Sequence, residues 1–184
     1  MSETITTSKN SRETTKLIVI CALFAGLTTV MAQLMVPVGA VPFSLATFAV
    51  YMAGGLLGAK KAAISQTVYV LLGCVGIPVF AGFTGGLPIV VGPTGGYIVG
   101  YVFMALIVGF VCQKGKNKFG WNVLAMVLGT IVLYAFGTAW FMFETKTAFL
   151  PSLMMCVVPF LIGDSIKIFS AAFLSNRLKK VIKI

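Results

Sequence analysis

Phe149-Leu-Pro-Ser-Leu-Met-Met-Cys-Val-Val-Pro-Phe160-Leu-Ile-Gly-Asp164-Ser-Ile-Lys167-Ile-Phe-Ser-Ala-Ala-Phe-Leu174 is the stretch whose reading decides the fold. Apart from its middle it is almost wholly hydrophobic, and it is long enough to cross a bilayer. Gly163-Asp-Ser-Ile-Lys167 places an acid and a base on adjacent positions of one helix face inside that run. Charges at membrane depth are expensive and usually face a bundle interior or a cavity, where they mark function. Two readings follow. Asp164 and Lys167 either neutralise each other to fix packing, or form a polar site for a ligand, and the two readings are compatible. Pro159 lies within the run and removes the hydrogen bond to the Met155 carbonyl, which predicts a kink.

The rest of the composition agrees with a membrane reading. Of 184 residues, 59% are hydrophobic and only 10% charged, against about 25% charged in a soluble domain. Mean hydropathy is +1.03. A net charge of +10 could signal nucleic-acid binding. The charges instead sit in clusters that punctuate apolar runs, with no basic aromatic face among them, so they read as topology signals. Cys21, Cys74, Cys112 and Cys156 all lie in or beside apolar runs, without CxxC spacing and without histidine in the chain. They read as buried hydrophobes, with no metal site and no disulfide framework.

Working outward from the last run, five more apolar runs precede it, at about 17–36, 43–59, 62–80, 95–112 and 121–143. The expectation is an all-α integral membrane protein, a compact bundle of six transmembrane helices over 17–175. A polar tail, 1–16, read as disordered, precedes it, and a basic tail, 176–184, follows. The first run ends without an A-x-A cleavage site and reads as a retained helix. Basic residues alternate cleanly between the segments outside the runs. The N-tail, the loop after run two, the loop after run four and the C-tail hold three, two, three and four Lys or Arg, whereas the other three loops hold only Lys146. Both termini are then cytoplasmic. The uncharged Gly/Pro loops 37–42 and 81–94 fall on the outer face, where they are expected to cap a ligand cavity.

The candidate site is assembled from that topology. Asp164 and Lys167 supply one acceptor and one donor, roughly 20 Å along run six from its outer end at about 1.5 Å per residue. Thr94-Gly95-Gly96 opens run four at the outer face, where helix amides suit an anion such as a carboxylate. Close helix packing is the competing reading of those glycines. Tyr97 and Tyr101 share a face and are placed along the cavity. Gln33, Phe43 and Thr47, which flank the first outer loop, and Gly85 and Gly86 in the second, complete the candidate binding set. No catalytic residue and no cofactor are expected. Glu3 and Glu13 lie in the tail, and without histidine no Ser-His or Cys-His arrangement exists. A proton-coupled carrier of another small amphipathic carboxylate, using Asp164, is the alternative to a dedicated binder, although no repeated half with broken helices is visible.

Gly85-Gly86-Leu-Pro-Ile-Val-Val-Gly92-Pro93-Thr94-Gly95-Gly96-Tyr97, joined to Asp164-Ser-Ile-Lys167, resembles the BioY family, the biotin-specific substrate-binding (S) components of energy-coupling factor (ECF) transporters. The resemblance spans roughly 15–180. It implies six helices in the bacterial plasma membrane, high-affinity capture of biotin under the first and third loops, and delivery inward by toppling. It further implies assembly with an ECF transmembrane coupling protein and two ABC ATPases, and the chain itself has no Walker motif. The small-residue coupling surface of the family's first helix maps to Ala22, Ala25 and Gly26, a relaxed form of AxxxA. Biotin suits the site chemically. Its rings and aliphatic tail fit an apolar cavity, its ureido group has two N–H donors and one acceptor, and its tail ends in a carboxylate. Asp164 is expected to accept from a ureido N–H and Lys167 to hold Asp164 ionised or to donate to the ligand. The direction in which the ligand lies stays open.

Overall fold

The structure, a computed structural model, describes residues 2–38, 41–115 and 118–181, with side chains from residue 13 onward. Gly39 and Ala40 of the first neutral loop, Lys116 in the loop after run four, and Lys183 at the C-terminus lie outside the described residues. Eight α-helical segments form an all-α bundle among them. They are α1 (Ser2–Gln33), α2 (Ala46–Leu57), α3 (Ala59–Cys74), α4 (Leu87–Val91), α5 (Gly95–Lys114), α6 (Phe119–Thr145), α7 (Phe149–Cys156) and α8 (Leu161–Val181). Two short strands, β1 (Met35–Val36) and β2 (Phe43–Ser44), pair antiparallel across the first neutral loop.

Four stretches are long and apolar enough to cross a membrane: Glu13–Gln33, Gly95–Lys114, Phe119–Thr145 and Phe149–Val181. The second and third runs, expected as full spans at 43–59 and 62–80, are shorter. They form α2, of 12 residues, and α3, of 16. Their boundary falls at Gly58 rather than at Lys60-Lys61. Gly58 has φ +79°, and a Cβ there would run into the Gln113 side chain, so only glycine fits that corner. Lys60 and Lys61 instead open α3.

Two more expectations need correction. The segment 1–16, read as disordered, is helical from Ser2 and continuous with the first span. The last run is not one kinked helix. It breaks into α7, a 3-10 turn at Val158–Phe160 that contains Pro159, and α8. The missing amide of Pro159 explains the break, and α8 restarts just before Asp164.

α5 lies at the centre, packed on α6, α3 and α2. Met104, Ala105, Val108, Ala125 and Met126 are fully buried between these helices. Without a hydrophobic drive between helices in lipid, close approach carries the packing. A Cβ at Gly129 would strike Val108, and one at Gly137 would strike the ring of Tyr97. The outside is apolar: Ile18, Val19 and Leu23 of α1, Ile131 of α6 and Ile162, Ile166 and Phe169 of α8 are exposed. Such a surface belongs in hydrocarbon. At one end of the bundle, the described residues of 34–45 meet the segment 75–94, which holds α4, around the end of α1 and the start of α5. At the other end lie Lys60, Lys61, Lys114 and Lys180, and Lys179, whose ammonium donates to the Gly55 carbonyl at 2.9 Å.

Candidate functional site

Asp164 and Lys167 sit one turn apart in the first half of α8, and both are almost completely buried, at 4% and 5% exposure. Their ion pair measures 2.8 Å. Lys167 also donates to the Ser44 carbonyl at 2.7 Å and to the Thr47 hydroxyl at 3.2 Å. An ammonium has three N–H donors, and all three are thereby engaged. The ring face of Phe43 lies 3.7 Å from the same nitrogen, a favourable cation–π geometry. Phe43 in turn stacks on Phe160, with centroids 5.7 Å apart and planes at 10°. This sandwich requires Gly163, because a Cβ there would enter the Phe43 ring.

The carboxylate is served differently. One oxygen accepts an N–H of Lys167, and the other accepts from the Tyr134 hydroxyl at 2.5 Å. The Thr47 hydroxyl lies 3.5 Å from the first oxygen, too far for a good bond. A carboxylate has about four acceptor positions, so Asp164 retains acceptor capacity where Lys167 has no donor left.

The pair closes the deep end of a cavity of about 50 Å³ whose walls include Val41, Pro42, Tyr97, Tyr101, Leu133 and Tyr134. A second cavity of about 70 Å³ adjoins it toward the loops, bounded by Tyr69, Phe80, Thr84, Ile89 and Thr94. The two share Val41, Pro42, Ser44, Tyr97 and Tyr101 as common walls. The two cavities lie in series between Asp164 and the start of α5, and no lining residue of the outer one is charged.

The structure thus brings together Asp164, Lys167, Thr47, Phe43, Tyr97, Tyr101 and Thr94 of the expected set. The remaining expected residues lie outside both linings. A Cβ at Gly95 would meet the Val90 carbonyl, one at Gly96 would meet Trp140, and one at Gly85 would meet the Ile77 carbonyl. Gly86 has φ +101°, and its amide donates to the Gly73 carbonyl at 2.7 Å. These glycines serve close backbone approach. The α5 amides are also partly spent: Gly95 donates to the Gly92 carbonyl, and Tyr97 and Ile98 donate to that of Thr94. Gln33 faces the second neutral loop. Its amide nitrogen donates to the carbonyls of Thr29, Val79 and Phe80, and its oxygen accepts from the Phe83 amide at 2.8 Å. On α1, Ala25 is buried, whereas Ala22 and Gly26 are exposed one turn apart. Space is open around Gly26.

Sequence reasoning missed Tyr134, Ser44, Leu133 and Phe160. Tyr134 carried a signal, being a phenol in the middle of an otherwise apolar run. Ser44 carried none, because its carbonyl and not its side chain meets Lys167.

Apolar helices wrapped around a buried ion pair and a set of buried aromatic rings make this a multi-pass integral membrane protein. Its sequence narrows the class further. The chain belongs to the BioY family, whose model matches residues 3–184. It is 37% identical over 162 residues to the biotin transporter BioY of Thermotoga maritima, covering 86% of this chain and 93% of that protein. It is 38% identical over 158 residues to a probable biotin transporter BioY of Pyrococcus horikoshii, with the same coverage of 86% and 93%. In three dimensions it matches the crystal structure of the S-component for biotin from an ECF-type ABC transporter, with TM-score 0.85 and 30% identity over 92% of this chain and 93% of that one.

Proposed function

We propose that this chain captures biotin from the outer face of the cell membrane and delivers it inward as the S component of an ECF transporter. A transmembrane coupling protein and two ABC ATPases would supply the energy. In this reading both termini are cytoplasmic, and α2 and α3 count as the second and third of six spans. The observation that carries the proposal is the open acceptor on Asp164 at the deep end of two cavities in series, in a chain folded like an S-component for biotin. A ureido N–H is the complement of that acceptor. The vitamin's rings lie among Tyr97, Tyr101, Tyr134 and Phe160, and its tail runs through the second cavity toward Thr94. Lys167 acts by holding Asp164 ionised. Each cavity alone is smaller than the several hundred Å³ typical of ligand pockets, so the ligand occupies both, across the walls formed by Val41, Pro42, Tyr97 and Tyr101.

The test is calorimetric titration of the purified chain with biotin. Asp164→Asn replaces an acceptor-only group with one that presents N–H donors. It should weaken binding at least tenfold while the protein stays folded. Unchanged affinity in the folded variant would leave the pair a purely structural device. Uptake by the chain alone into liposomes under a pH gradient, with no ATPase present, would replace the S-component reading with a proton-coupled carrier.

A further inference from the structure

A groove on the outside of the bundle stands apart from the biotin site. It encloses about 440 Å³ and presents only apolar surface. Ile20, Leu27 and Met31 of α1 form one wall, Met52 of α2 the floor, and Leu174 and Leu178 of α8 the other wall. It opens on the same surface as exposed Val19 and Leu23, which places it in hydrocarbon.

Its length and its ends narrow the occupant. From Ile20 to Met31 the α1 wall extends ~16 Å at about 1.5 Å per residue. That is about half of a ~30 Å hydrocarbon core. A spanning partner helix would call for a trough through both leaflets, whereas a lipid tail needs one. The groove also terminates at the basic end of the molecule. Lys16 precedes Ile20 by one turn, continues the groove-lining face of α1 and is exposed. On the opposite wall Arg177 adjoins Leu178 and is exposed, with its guanidinium 5.4 Å from the Phe173 ring. An apolar trough one leaflet deep, whose α1 and α8 walls run on to exposed Lys16 and Arg177 at the basic end, complements an acyl chain attached to an anionic headgroup.

We infer that the groove holds one acyl chain of an anionic phospholipid from the leaflet at the basic end, with the headgroup phosphate between Lys16 and Arg177. The inference does not depend on the biotin assignment. A chain seated there bridges α1 and α8, which both pack on α2, and fills the space between them without a protein partner.

Native mass spectrometry of the full-length chain, released from mixed micelles of phosphatidylglycerol and phosphatidylcholine with identical acyl chains, tests it. Phosphatidylglycerol should be retained about fivefold over phosphatidylcholine. The double variant Lys16→Gln, Arg177→Gln should bring that ratio to about one while a lipid is still retained. Leu27→Trp should fill the trough and remove retention of both lipids. Ile131→Trp, on the exposed face of α6, should change nothing. Far-UV circular dichroism checks folding, and Ile20→Trp blocks the trough at its other end should Leu27→Trp unfold. Equal retention of the two lipids by the native chain overturns the inference, as does retention unaffected by a folded blocking variant. So does a dimer, or a complex with a helical partner, that Leu27→Trp abolishes while lipid retention persists; the groove would then be a protein interface.

Discussion

Asp164 and Lys167 divide their labour by valence. Lys167 is engaged by Asp164, the Ser44 carbonyl and Thr47, which take all three of its N–H donors. Asp164 is held by Lys167 and Tyr134 and keeps acceptor capacity. Removing the Tyr134 hydroxyl should therefore loosen the acceptor without unpairing a charge. A hydrogen bond to a charged group contributes about 1.5–3 kcal/mol to stability, so Tyr134→Phe should lower the melting temperature and, by loosening the acceptor, weaken biotin binding about tenfold by calorimetry. A folded Tyr134→Phe variant of native affinity would show that the carboxylate needs no help in orienting. Gln33 works on the loop instead. Its hydrogen bonds to Val79, Phe80 and Phe83 fasten the end of α1 to the segment that supplies Phe80 and Thr84 to the outer cavity. Gln33→Leu should accelerate biotin release about tenfold in a stopped-flow chase, with a smaller effect on capture. Native release kinetics would reduce Gln33 to a passive helix-end residue.

At the level of helices, breaks and close approaches do most of the work. Pro159 ends α7, and the restart at Leu161 sets the phase that turns Asp164 and Lys167 toward α2 and α6. Glycine then lets neighbouring elements approach: Gly163 admits the Phe43 ring, Gly96 admits Trp140, and Gly95 lies against the Val90 backbone. Gly95 and Gly96 thus serve close packing, one of the two readings of Thr94-Gly95-Gly96. The first helix shows the opposite case. Ala22 and Gly26 are exposed, and no atom lies within 4 Å of a Cβ built on Gly26. A larger side chain costs nothing inside this chain. Ala22→Leu or Gly26→Leu should leave biotin affinity within twofold, yet abolish ATP-dependent uptake by blocking close approach of a coupling helix. Loss of binding with assembly intact would move this surface into the bundle's own packing.

Across the whole molecule the charges separate by end. Lys60, Lys61, Lys114 and Lys180 lie at one end, and the described residues of the neutral segments 34–45 and 75–94 at the other. With the native cysteines replaced, Lys146→Cys should react with a membrane-impermeant maleimide applied outside intact cells, and Lys61→Cys only after permeabilisation. The reverse pattern would invert the bundle and place the cavity mouth in the cytoplasm. The membrane class, the apolar runs, the buried acid–base pair and the neutral loops were all legible in the chain. Each follows from residue type and local order, because hydrocarbon tolerates few charges and loops carry the rest. The lengths of α2 and α3, the hydrogen bonds that tie Gln33 to the second neutral loop, the contacts of Tyr134 and the Ser44 carbonyl with the acid–base pair, and the apolar groove between α1 and α8 were settled only in three dimensions. They depend on which faces meet across helices far apart in sequence, and on backbone carbonyls that every residue carries alike.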